Sequence, residues 1–150
     1  MSDRIQVFPI VPKPYVRQVQ SDKWRKRPAV LRYRAFRDEV ALHIKELPTD
    51  FFHVVFLLPV PPSWSRKRKL ATIGRPHLGT PDKDNLEKGL FDAIYRFGDD
   101  GHIWNSASTK VWSAQGAIII ADDYLPFYEI PVDLPALVRG SWEVHDRVLV

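Results

Sequence analysis

The chain has no cysteine among its 150 residues, which excludes disulfides and thiolate-held metals and fits a reducing compartment. It also lacks any apolar run near the ~20 residues that span a bilayer. The longest, "FFHVVFLLPVPP" and "GAIIIA", are far shorter. The N-terminus, "MSDRIQVFPIVPKPYV", is broken by Pro9, Pro12 and Pro14 and makes a poor signal peptide. No membrane association is expected, and the expected compartment is the cytoplasm. Phosphate-cradling loops of the G-x-x-x-x-G-K-S/T or G-x-G-x-x-G kind are missing, and the histidines show no zinc spacing such as H-x-x-x-H. An EF-hand loop starting at Asp82 fails as well, because Leu86 and Glu87 stand where an oxygen ligand and a glycine are needed.

What the chain does have is charge of both signs, unevenly placed. Residues 1–80 carry 16 Lys/Arg against 6 Asp/Glu, and residues 81–150 carry 6 against 12, within a net charge of +4. A basic half beside an acidic half points to a polyanionic partner and a site that gathers carboxylates. The length suits one domain over residues 1–150, large enough to bury a core without staples.

The coarse order is β-α-β-loop-α-β-β, an α+β fold with a small mixed sheet and two main helices. Strands are expected over 4–11 and 51–60, the second apolar on both parities and so central and covered on both faces. A helix is expected over 29–47, with Leu31, Ala35, Val40, Leu42 and Leu47 on its apolar side and Pro48 ending it. Residues 13–28 and the Pro-, Gly- and Ser-rich stretch 61–81 read as loops. A second helix covers 82–96, with Leu86, Leu90, Ala93 and Ile94 inward. After a turn at 97–102, residues 103–114 and 116–124 read as a hairpin joined near Gln115-Gly116, and "RVLV" at the end as a short strand. His53 lies in an apolar strand and reads as a packed core histidine.

The stretch "TPDKDNLEKGLFDAIY" places Asp82 and Asp84 where the second helix begins. Two explanations compete. Asp84 with Glu87 forms a D-x-x-E capping box, or Thr80 caps with Pro81 in the first helical position; either places negative charge in the first turn, where the helix dipole favours it. Alternatively the carboxylates hold a hard divalent cation, which takes oxygen ligands from one to three carboxylates, substrate phosphate and water. Lys88 follows Asp84 by four residues, and Asp99-Asp100 falls one helix length later in a turn that can fold back toward the helix start. Asp92 suits a surface or salt-bridge role, and Asp122-Asp123 ends a strand in solvent. Nucleic-acid phosphates would be met by Arg66, Lys67, Arg68, Lys69 and Arg75, and by a second cluster of Lys23, Arg25, Lys26 and Arg27. Tyr15, Trp24 and Trp64 are candidates to stack on unpaired bases.

"PDKDNLEKGLFDAI", followed by "DDGHI" and "KVW", resembles the RusA family of Holliday-junction resolvases, and "PPSWSRKRK" is similar to the family's basic loop. The resemblance runs from Asp82 to about Lys110, with looser agreement upstream, and the tail from about residue 125 extends past the family core. It implies a catalytic Mg²⁺, with Mn²⁺ as a substitute, held by Asp82, Asp84 and Asp100, with Lys88 as the functional lysine. Asn85 and Leu86 match motif positions read as structural. It further implies a homodimer that resolves four-way DNA junctions by paired cuts in recombination and repair. The apolar "GAIIIA" strand and the tail are candidates for the dimer surface. The alternative is a non-catalytic nucleic-acid-binding module whose aspartates are helix caps.

Overall fold

The computed structural model describes residues 4–17, 27–132 and 144–146. Among these residues, five strands and three α-helices follow in the order β1 (Arg4–Phe8), α1 (Pro28–His43), β2 (Phe52–Pro59), α2 (Arg66–Thr72), α3 (Lys83–Ile94), β3 (Ser106–Ser113), β4 (Ala117–Ala121) and β5 (Val144–Asp146). The expected α+β class and small mixed sheet are present. The stretch 61–81 is not all loop, however, because it contains α2. Residues 147–150, where the last strand was expected, lie outside the described residues; β5 precedes them.

The sheet order is β3-β2-β4-β1-β5. β2 runs parallel to β3 and antiparallel to β4, so the expected β3–β4 hairpin does not form. β2 is buried along nearly its whole length and needs a neighbour on both edges. The short connection Ala114–Gly116 steps over its end, two strand spacings of about 4.8 Å each. Beyond β3, residues 74–77 add a partial edge: Gly74 N donates to Trp112 O (2.9 Å), Trp112 N to Arg75 O (3.0 Å) and His77 N to Lys110 O (3.1 Å).

The two parities of β2 feed two cores. Val54, Phe56 and Leu58 meet α1 and α3 through Tyr33, Phe36, Val40, Leu86 and Leu90. Val55 and Leu57 meet Val7, Val111 and Ile119 on the other face, closed by Leu125 and Ile130 from the chain after β4. β4 is wholly buried between β2 and β1, so "GAIIIA" has no face to offer a partner.

α1 departs from expectation in face and length. Val30, Tyr33, Phe36 and Val40 are buried, whereas Leu31 is 45% and Leu42 69% exposed. The helix stops at His43, and Ile44 and Leu47 enter the core in extended chain, with Leu47 N donating to Tyr95 Oη at 3.0 Å. Packing against α3 overrides the local helical pattern. His53 is a core histidine, as expected: Leu125 N donates to its Nδ1 at 2.9 Å, leaving the proton on Nε2, 2.9 Å from Thr109 Oγ1.

Candidate metal centre and nucleic-acid face

α3 begins at Lys83, with Asp82 in the extended N-cap position. Its main-chain carbonyl accepts from Leu86 N at 3.1 Å, but its carboxylate makes no capping bond. Neither expected cap therefore forms. Thr80 lies too early, and the Asp84 carboxylate accepts from the neighbouring Asn85 N at 2.8 Å instead. Glu87 is drawn to Ser108 Oγ on β3 and lies 3.7 Å from Lys83 Nζ. A capping aspartate normally spends its oxygen on the N–H groups of the first turn; Asp82 does not. Asp82 and Asp84 are both exposed, two hard oxygen donors at one helix start.

Two neighbours hold this start in place. Lys110, reaching from β3, donates through Nζ to the carbonyls of Gly79 and Pro81 (the latter at 2.8 Å), the residues leading into Asp82. Residues 13–15 lie along α3, with Tyr15 N donating to Asn85 O at 3.0 Å. A side chain at Gly89 would strike that strap, its Cβ falling 2.8 Å from Lys13 O and 3.0 Å from Tyr15 N. Sequence reading missed Lys110 and Gly89 as positioning residues. A glycine inside an amphipathic helix was the available signal for the second.

Lys88 is exposed, with Nζ 4.5 Å from the centre of the Tyr15 ring. Asp92, a possible partner for it, accepts from Tyr33 Oη at 2.6 Å. Burial and that carboxylate hold the Tyr33 hydroxyl well above the usual phenol range, so it stays protonated and donating.

Asp99 and Asp100 sit in a 3₁₀ turn, Asp99–His102, beyond the other end of α3, after Gly98 in the left-handed region at φ 88°. Twelve helical residues separate the two ends by about 18 Å. The turn does not fold back to the helix start. Among the described residues no group of three or more His, Asp or Glu is gathered to hold a metal.

The basic segment is helical. Ser65 caps α2, accepting from Arg68 N at 3.2 Å, and Gly74 follows its end at φ 92°. A serine before and a glycine just after were the legible signs of this helix. Arg66 and Lys67 are exposed on it, with Lys69 half-buried and Arg75 exposed just beyond. Arg68 lies over the Trp64 ring at 3.6 Å, Trp64 leans on Trp112 at 5.2 Å, and Trp112 meets His77 at 4.1 Å. His77 is buried, and desolvation with Lys110 nearby pushes its imidazole below the ordinary range. A groove of about 640 Å³ runs from Trp112 and His77 past the strap to Asp82 and Asn85. Arg27 donates to Arg17 O at 2.9 Å; Lys23, Trp24, Arg25 and Lys26 lie outside the described residues.

The family model described as Endodeoxyribonuclease RusA matches residues 9–121, from the end of β1 to the end of β4. The chain belongs to the RusA family. At the family level that makes it a nuclease, with the Holliday-junction-resolving endodeoxyribonuclease function the resemblance implied. The match takes in both carboxylate pairs, Lys88, α2 and the groove, and ends before the residues that close the second core. No curated protein matches the chain. Among the described residues no helix is long and apolar enough to cross a membrane.

Proposed function

We propose that this chain is a Mg²⁺-dependent, structure-selective endodeoxyribonuclease of the cytoplasm that acts as a homodimer, cuts paired strands of four-way DNA junctions, and uses the start of α3 as its active centre. The observation that carries this is Asp82, an N-cap residue whose carboxylate does no capping, beside exposed Asp84. Their hard oxygens suit Mg²⁺, which commonly takes one or two carboxylates with substrate phosphate and water; Mn²⁺ can substitute. When bound, the ion supplies charge neutralisation on the phosphate and a more acidic water. Lys110 and the strap at residues 13–15 fix the loop and helix that aim the two carboxylates. Lys88, one turn on from Asp84, keeps an ammonium near the phosphate, where developing charge is stabilised most. Arg66, Lys67, Lys69 and Arg75 neutralise phosphates farther along, giving affinity without sequence preference.

Asp100 enters this scheme through the dimer. About 18 Å of helix keeps it from its own chain's Asp82, so the third carboxylate of each centre belongs to the second copy. Large apolar side chains beside that turn, Phe97 at 95% and Trp104 at 72% exposed, are the surface such a copy would cover. The whole chain, residues 1–150, would act as one domain, with the segment after residue 125 extending the family core.

A labelled four-way junction and its matched duplex, each with Mg²⁺ or EDTA, test the proposal. Wild type should nick only the junction and only with Mg²⁺. Asp84→Asn should cut at least ~100-fold more slowly, the scale on which electrostatic stabilisers act, while binding the junction as well as before. Tight junction binding without cutting under any divalent metal would leave the chain a binding module.

A further inference from the structure

We infer that the groove beside Asp82 receives an unpaired nucleobase of the strand being cut, next to the scissile phosphate. The inference rests on the nuclease reading of Asp82 and Asp84. At about 640 Å³ the groove falls within the range of small-ligand sites, ~300–1,000 Å³. Its walls are flat and apolar, built from Pro12, Pro14, Pro59 and Pro61 with the Trp112 indole. Such walls suit the face of a base and would not compensate a bare phosphate for lost water.

The aromatic wall is also packed against neighbours before any ligand arrives. Trp112 is backed by His77 at 4.1 Å and Trp64 at 5.2 Å, and Trp64 carries Arg68 at 3.6 Å. A base stacking there orders no side chain that is not already ordered, which keeps the cost of binding low. The lining also includes Lys13, Thr80, Asp82 and Asn85, and His77, only 6% exposed, has its Nδ1 buried without a hydrogen-bond partner. Apart from Lys13 in the lining, the nearby cations lie outside, on α2, where the backbone of a strand entering the groove would run. A groove that ends on the candidate metal ligand and takes an uncharged planar group therefore places one nucleotide's base in the walls and its phosphate at Asp82. Where a junction opens at its branch point, stacking is interrupted and a base is freed at less cost than from intact duplex. The groove thus gives a physical source for preferring branched DNA.

Fluorescence anisotropy in EDTA, on the full chain, compares octathymidylate with an abasic octamer of equal charge. Wild type should bind the thymidylate about ten-fold more tightly, the scale of one stacked base. Pro61→Trp, whose indole would fill the groove, should shrink the preference to about two-fold or less and leave abasic binding intact. Wild type with no preference, or a preference that survives this variant, overturns the inference. A measurement free of variants is photocrosslinking of a junction carrying 5-iodouracil beside the branch. Adducts on Trp112, Tyr15 or His77 support the groove, and adducts confined to residues outside it refute it. Junction cleavage by wild type separates the two levels. Cutting without base preference retires the subsite and keeps the nuclease; base preference without cutting does the reverse.

Discussion

His53 shows how much one buried side chain can demand. It is fully buried, its Nδ1 accepts from Leu125 N, its Nε2 faces Thr109 and its ring stacks on Tyr124 at 4.8 Å. Burial, with Lys83 adding to it, lowers its pKa to about 4. The unfolded chain therefore binds the proton first, and the stability is complete above the ordinary imidazole pKa of about 6.5 and lost as pH falls from there toward 4. Urea unfolding at pH 7 and pH 4.5 should show a loss of about 2 kcal/mol that His53→Gln largely removes; an unchanged pH slope in that variant would contradict the assignment. The contrast with Asp82 is instructive. Both were singled out from sequence, and each had a bland explanation. For His53 every ring nitrogen has a structural partner, and the bland explanation suffices. For Asp82 the expected structural job is left undone.

At the scale of elements, the reliability of a sequence pattern depends on how many competitors it has. α3 was legible because Leu86, Leu90 and Ala93 leave one unambiguous buried stripe. α1 was not, because Leu31 and Leu42 are as apolar as the residues that win, and only the position of α3 decides between the two sides. The doubly apolar β2 implies two covered faces and also takes a neighbour on each edge, and that second demand, which parts β3 from β4, is not visible in the β3–β4 segment itself. Proline and glycine around residues 61–81 hid α2, although Ser65 and Gly74 mark both its ends. The start of the candidate centre was legible for a local reason, since Asp82 and Asp84 are neighbours in the chain. Asp100 is not brought to the helix start within one chain, and a turn that can fold back is indistinguishable, in sequence, from one that does not. Two expectations follow from the elements as built. Gly89→Ala should push residues 13–15 off α3 and cost about 1–3 kcal/mol by overpacking, read as a fall in the urea midpoint. Arg66→Ala and Lys67→Ala on α2 should each weaken junction and duplex binding alike and lower the salt slope by about one; a change confined to one sequence would argue for base readout.

The whole molecule divides its labour between two faces of one sheet. One core anchors α1 and α3 and so fixes the candidate centre; the other is closed by the chain after β4, beyond the span of the family match. In the proposed scheme α3 offers Asp82 and Asp84 at its start, while Asp100 lies in the turn beyond its other end, past about 18 Å of helix. In a two-fold dimer that separation becomes useful, because the finish of one copy can meet the start of the other and each junction strand meets one complete centre. Mixing Asp84→Asn subunits with Asp100→Asn subunits tests this claim most directly. Each variant alone should be inactive on a four-way junction in Mg²⁺. Mixed dimers should regain one intact centre, built from Asp84 of one copy and Asp100 of the other, and should nick one strand of the junction without the paired cut. Failure of the mixture to regain any nicking, with mixed dimers verified, would contradict a centre shared between copies.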